Sequence, residues 1–374
     1  MNLIYLLEKN NKFYKKIKKF KKMGCESCRK SPVGTDEFNY EKDKAIQKEE
    51  FEKKFHKFLE ESGCEKITEE EFKSSIPENY LNLSNDHPFV FPKEIIEKKS
   101  IYEVKPIKFK NGNIFKGKWN TGNTMEGKGK YYIKDDDIFI EGYWENGELK
   151  YGKIFMSDGN IYEGEIKDSK FNGNGKLIYK DAVYEGTFES DEFKKGKLTW
   201  NNGYEYDGDF NGCSLQGKGK LKNPDGDIYE GDFENNYFHG EGKYTYFNSK
   251  NLYEGEFEYG MKKGKGKYVA NNEYTYEGTW DNDMPFGYGK FSNWDKSCVL
   301  KCTFRAGKIA EDPIYEIGSK ENFNIDDFEI KPEEMKIDNK SLTHLNILGT
   351  DATEFRLGSF PSFLSGWTRR EIED

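Results

Sequence analysis

The sequence has no long apolar run, few cysteines and histidines, and little aliphatic bulk for its length. No stretch reaches the roughly 20 apolar residues that a membrane-spanning helix needs. Six cysteines scattered over 374 residues make no disulfide framework, so they read as reduced thiols of a cytoplasmic protein. The four histidines, His56, His87, His239 and His344, lack metal-ligand spacing, and no Gly-x-Ser-x-Gly elbow accompanies them. Cys25 and Cys28 have no second ligand pair nearby, so a zinc knuckle is not expected. Acidic groups such as Asp135, Asp136 and Asp137 fall in turns and read as solubilising charge, not as an acid–base pair. Gly264 to Lys267 suggests a phosphate loop only until it is seen to recur on strands, with no Gly-Lys-Ser/Thr before a helix. The expectation is therefore a non-enzymatic chain with no metal and no cofactor. The net charge of −9 comes from 59 basic and 68 acidic residues, mostly interspersed, which gives no reason to expect nucleic acid.

What the chain does have is aromatic residues and glycine. Aromatics make up 16% and glycines number 38, although only 34% of residues are apolar. Rings lying over bare backbone are the core material of thin sheets in repeat folds. The chain reads as four stretches: a basic N-terminal segment at 1–36, a helical region at 37–100, a tandem repeat at 101–309, and a mixed tail at 310–374. In the helical region Phe51, Phe55, Phe58 and Leu59 follow one helix face, and Gly63 stands where a C-terminal cap belongs. Thr68 and Glu71 form a capping-box pair for a short second helix through Phe72, stopped by Pro77. The narrow apolar stripe is expected to dock on the repeat array.

Within the repeat region a pentapeptide recurs, beginning at Phe115, Ile140, Tyr162, Tyr184, Tyr206, Tyr229, Tyr253 and Tyr276, with starts 22 to 25 residues apart. Tyr162-Glu163-Gly164-Glu165-Ile166 and Tyr229-Glu230-Gly231-Asp232-Phe233 are representative. A Gly-x-Gly follows each opening, as at Gly173/Gly175 and Gly264/Gly266. Two repeats keep one glycine of the pair, Gly152 and Gly196. Leu300 to Phe304 reads as a decayed ninth opening with Cys302 in place of glycine, which suits a terminal cap.

Strand side chains alternate faces, so Tyr162, Gly164 and Ile166 share one face while Glu163 and Glu165 share the other. Glycine leaves a slot on the apolar face in which a ring from a neighbouring strand can lie. Polar connections with Asp, Asn and Lys between the two strands mark hairpins. Each unit is one hairpin, about half the size of a propeller blade and too small to be stable alone. The predicted fold is mainly β: an elongated, single-layer, twisted antiparallel ribbon of tandem hairpins. Its aromatic–glycine face is expected to form a continuous partner-binding groove. The groove residues are Trp119, Trp144, Tyr162, Tyr184, Phe188, Tyr206, Phe210, Tyr229, Phe233, Tyr253, Phe257, Tyr276 and Trp280.

The Tyr-Glu-Gly-x-Trp/Phe opening with its later Gly-x-Gly resembles the MORN (membrane occupation and recognition nexus) repeat over roughly residues 101–309. The resemblance implies a β-ribbon whose groove accepts a helix or extended peptide. It also implies scaffolding at membranes, junctions, or ciliary and cortical cytoskeletons, and no single biochemical activity. Phosphoinositide contact, attributed to such repeats, would want clustered Lys/Arg, whereas these copies carry Glu or Asp at most second positions.

Met23-Gly24-Cys25-Glu26-Ser27-Cys28 resembles the dual-acylation start of Src-family kinases. That resemblance implies myristate on Gly24 and palmitate on Cys25 and Cys28, provided that translation starts at Met23. With Met1 as the start, residues 3–22 read instead as a basic amphipathic helix or a frayed tail. N-terminal mass spectrometry of native protein separates the two. In the tail, Phe355, Leu357, Phe360, Phe363, Leu364 and Trp367 surround Pro361 and are expected to fold back over the last repeats. The functional expectation is a scaffold that binds a helix or peptide of a cytoskeletal protein, with a lipid-anchored membrane tether as the alternative. Its place would be the cytoplasmic side, at cytoskeleton, cilium or inner membrane face, and the sequence leaves self-association open.

Overall fold

The structure, a computed structural model, describes residues 35–86, 88–91, 101–271, 273–305, 307–311 and 313–318. The expectations for Gly24, Cys25, Cys28 and the tail around Pro361 lie outside these residues. The chain divides into two units, Met1–Phe58 and Leu59–Asp374.

Helix α1 spans Thr35–Ser62. In the first unit the rings of Phe51 and Phe55 stack at 5.2 Å, and Phe58 tilts onto Phe55 at 5.8 Å, as residues on adjacent turns of one face must. The helix ends where Gly63 takes φ +65°, and the Cys64 N–H donates to the Leu59 carbonyl at 3.1 Å. That 6→1 bond satisfies a carbonyl the last turn leaves open.

The second unit opens with helices α2 (Glu69–Ser75) and α3 (Glu78–Asp86). The capping box is present: the Thr68 N–H donates to Glu71 Oε2 at 2.7 Å, and the Glu71 N–H donates to Thr68 Oγ1 at 3.1 Å. These helices dock on the array. Phe72, Ile76 and Tyr80 pack with Ile114, Tyr132, Phe139, Phe155 and Ile161. Strand pairing places those five as successive neighbours across the first repeats, on the face opposite the glycines. The Tyr80 hydroxyl donates to the Asp137 carbonyl at 2.7 Å, and the Ser84 hydroxyl to Glu141 Oε1 at 2.7 Å.

From Ile101 to Ile317 the chain forms one long open antiparallel sheet in which sequence-adjacent strands pair. The expected hairpins are there. Their tight turns place both central residues at positive φ, as at Asp168-Ser169, Ser190-Asp191, Asn235-Asn236 and Asn282-Asp283. Asn and Asp, which fill six of these eight places, tolerate the left-handed region.

The in-line glycines come into register across every repeat. Gly164 faces Gly175, which faces Gly186, then Gly196, Gly208 and Gly219, and the row continues both ways from Gly117 to Gly289. It ends against Cys302, which is buried. A Cβ is accepted there because Leu300 occupies the place of the opening tyrosine, so no ring needs the slot. The two glycines of each Gly-x-Gly serve different ends. The second belongs to this row. The first, such as Gly173 (φ +62°) or Gly264 (φ +73°), takes the left-handed region.

Candidate functional site

Each opening tyrosine lies flat over the two row glycines of its own hairpin. A Cβ on Gly175 would come within 2.6 Å of the Tyr162 hydroxyl, and one on Gly242 within 2.5 Å of the Tyr229 hydroxyl. The phenol then donates to the carbonyl three residues on: Tyr162 to Glu165 at 2.7 Å, Tyr206 to Asp209 at 2.8 Å, Tyr229 to Asp232 at 2.7 Å. Burial raises these phenols: Tyr184 is pushed up to about 12, and Tyr162, Tyr206, Tyr229, Tyr253 and Tyr276 still higher.

Edge-to-face contacts link one repeat to the next. Tyr184 meets its own Phe188 at 5.1 Å and Phe210 of the following repeat at 5.4 Å. Tyr206 meets Phe210 at 5.0 Å and Phe233 at 5.1 Å, Tyr229 meets Phe257 at 5.1 Å, and Tyr253 meets Trp280 at 5.1 Å. Phe115 joins Trp119 to Trp144 in the same manner. A second ring from the returning strand covers several tyrosines, with Phe171 on Tyr162 at 3.6 Å and Phe238 on Tyr229 at 3.7 Å.

The thirteen residues expected to line a partner groove are thus brought together, but as a closed stack. Trp119, Trp144, Tyr162, Tyr184, Phe188, Tyr206, Tyr229, Phe233, Tyr253, Phe257, Tyr276 and Trp280 are each at most 3% exposed, and Phe210 is 6% exposed. The expected trough on their face is filled. The slot that glycine opens is occupied by the chain's own tyrosine, so no room is left for a ring from elsewhere. These side chains hold the array together.

One member of the buried layer is not apolar. Lys262 stands where five other returning strands carry Leu149, Phe171, Phe193, Leu215 and Phe238, and it is fully buried. Its ammonium donates to the Tyr246 hydroxyl at 2.7 Å and lies over the rings of Tyr253 (5.4 Å) and Trp280 (5.7 Å). Asp283 Oδ1 is 4.0 Å away. Burial lowers this lysine to about 8 despite Asp283.

Beyond the docked helices, the open surface is the opposite face. There Lys and acidic residues alternate across the strands, giving ion pairs such as Lys153–Glu163 at 3.1 Å, Lys176–Glu185 at 3.7 Å and Lys267–Glu277 at 2.7 Å. Pairs exposed like the last two contribute little, at most about 1 kcal/mol each. Two clefts follow the glycine row on this face. The first lies at Gly117 and Gly129, under Pro88, Phe89 and Phe91. The second lies at Gly255, Gly266 and Gly278, flanked by Glu254, Glu256, Lys265 and Lys267. Sequence reading passed over Phe89, Phe91, Tyr151 and Tyr288. The signal for the tyrosines was a Tyr immediately before the returning-strand glycine in the second and eighth repeats.

Among the described residues the cysteines Cys64, Cys213, Cys298 and Cys302 are free thiols. No group of His, Cys, Asp and Glu among them could hold a metal ion, and no helix is long and apolar enough to cross a membrane.

A model of the MORN repeat matches residues 162–181, 229–249, 253–272 and 276–296. No curated protein matches. Solved structures with some likeness include a mutant TCP10 domain of Danio rerio CPAP, at 9% identity and TM-score 0.26, over 52% of this chain and 85% of that one. Another is the wild-type domain in complex with a peptide of Danio rerio STIL, at 13% identity and TM-score 0.22, over 59% of this chain and 100% of that one. The four matched segments begin at opening tyrosines, and the other openings share their glycine row and ring stack, so the tandem hairpins are MORN repeats and the chain is a MORN-repeat protein.

Proposed function

We propose that this protein is a non-catalytic scaffold that holds a segment of a cytoskeletal protein, ciliary or cortical, on the charged face of its repeats. The observation that carries this reading is the glycine-floored cleft at Gly255, Gly266 and Gly278, whose counterpart at Gly117 and Gly129 lies under a segment of the chain itself. A row of glycines lets a backbone or a flat ring approach the sheet closely, and the alternating charges beside it supply polar contacts and register. The opposite face, closed by its own rings, supplies the rigidity that a scaffold needs. The cytoplasmic placement rests on the scattered cysteines, which are unpaired where described.

Proximity labelling of the full chain in its own cells, read beside detergent fractionation, tests this. The expected result is a short set of cytoskeletal neighbours and retention in the detergent-insoluble fraction. Release by detergent together with acylated Gly24, Cys25 or Cys28 would replace the scaffold by a lipid-anchored tether. A fully soluble protein with no enriched neighbours would end the reading.

A further inference from the structure

The chain's own segment shows how the charged face takes an extended peptide. Phe89 stacks on Tyr151 at 5.6 Å with the ring planes 18° apart, and the Lys128 ammonium lies over the Phe91 ring at 4.4 Å. Val90 between them is 73% exposed. Alternate residues therefore face the sheet, as in any extended chain. The receiving pair is a lysine and a tyrosine from successive repeats, each immediately before a row glycine, Gly129 and Gly152. Tyr143 separates them by one strand.

At this position the eight repeats carry Lys128, Tyr151, Asn174, Lys195, Lys218, Glu241, Lys265 and Tyr288, so the Lys–Tyr doublet recurs once, in the last two repeats. Thr279, smaller than Tyr143, pairs with Lys265 there, and a register shift in the next strand sets it opposite Phe286, with Tyr288 beside the row glycine Gly289. Lys265, Thr279 and Tyr288 line the second cleft. Tyr288 is 60% exposed, and no ring among the described residues stacks on it. The charge around the two doublets differs. The first cleft sets Lys116, Lys128 and Lys130 against Glu103 and Glu141. The second sets Glu241, Glu254, Glu256 and Glu277 against Lys265 and Lys267, an excess of two carboxylates.

Building on the scaffold reading, we propose that the cleft at Lys265 and Tyr288 binds, in trans, an extended partner segment carrying two aromatic residues one apart, flanked by lysine or arginine. One ring stacks on Tyr288 as Phe89 does on Tyr151. The other lies beneath Lys265 as Phe91 does beneath Lys128. The flanking cations meet the surplus carboxylates, which gives the site its choice of partner, whereas the first cleft has an excess of lysine and does not favour a basic segment.

The test uses the full chain and the labelled synthetic peptide Lys-Lys-Phe-Val-Phe-Lys-Lys, read by fluorescence anisotropy. Controls replace both Phe by Ala, or all Lys by Glu. The expected result is saturable binding of the first peptide, weakened about fivefold or more by Tyr288→Ala and restored by Tyr288→Phe, which keeps the ring. Glu254→Lys with Glu277→Lys should weaken it further and flatten its salt dependence. Tyr259→Ala, an exposed tyrosine in a hairpin turn, should leave it unchanged. Three outcomes overturn the proposal: equal binding of the Ala peptide, no effect of Tyr288→Ala, or no binding up to about 1 mM, where the free energy of binding is only some 4 kcal/mol. Dimerisation of the chain abolished by Tyr288→Ala would also overturn it, by assigning the cleft to a second copy. If Tyr288→Ala leaves the neighbours recovered in cells unchanged, the scaffold reading stands and this cleft assignment fails.

Discussion

The hydroxyl of Tyr162 sits where a Cβ on Gly175 would come within 2.6 Å, although the two residues lie on different strands of their hairpin. Gly175→Ala must therefore displace the ring, its hydrogen bond to Glu165 and its stack on Phe171. The expected cost is about 1–3 kcal/mol, as for overpacking in a filled core. Gly212 is glycine only for its φ of +58°, with open space around it. Gly212→Asn should change stability by less than about 0.5 kcal/mol, since Asn tolerates that region. Chemical denaturation of both variants checks the contrast.

Lys262 is a charge set into an aromatic layer. Replacing it with leucine, the residue of two equivalent positions, should stabilise the protein by about 1–3 kcal/mol at pH 7, the size of its shift less the bond lost by Tyr246. Its folded pKa, about 8, lies below the unfolded value of 10.5. Between those values the unfolded chain holds the proton that the folded chain has released, so stability rises with pH across the window. Denaturant midpoints measured from pH 7 to 10 should climb in the native sequence and stay flat in Lys262→Leu.

The tyrosines act in the opposite sense at higher pH. Their folded values are raised by burial, Tyr184 to about 12 and others beyond, so their contribution is complete below pH 10. Above it the unfolded phenols ionise first and stability is lost. Phenolate absorbance for this set should appear only together with loss of the β-sheet circular dichroism signal, as one cooperative step above about pH 10. A gradual titration preceding unfolding would show that the rings are not shielded.

Phe72 anchors the short helices on the first repeats and is 3% exposed. Phe72→Ala should cost about 3–5 kcal/mol locally and expose α2 and α3 to protease, while cleavage within residues 160–300 stays unchanged. Thr68→Ala, which removes one arm of the capping box, should act in the same direction by about 0.5–2 kcal/mol. Timed proteolysis with mass readout ranks the two.

Much of the array was legible because its signals are local. The period-2 alternation around Gly164 names the face of Tyr162, the dipeptides at the turns name the hairpins, and Thr68 with Glu71 names a helix start. The candidate site was less legible. Alternation states that Tyr206 and Gly208 share a face, but not that the ring leans along the strand and fills the slot. That depends on the returning strand bringing Gly219 alongside. Phe89 and Phe91 have no repeat to announce them, and what they cover is set by the docking of α2 and α3. Nothing in the local sequence marks Lys262 as buried; strand pairing puts it opposite Phe257.

The order of residues by itself determined a row of hairpins with rings and glycines on one side and charges on the other, because side-chain parity and turn chemistry act between near neighbours. Only the tertiary structure decided which side stays open. Packing between strands and between repeats spends the aromatic face on cohesion, and leaves the glycine row reachable from the charged one.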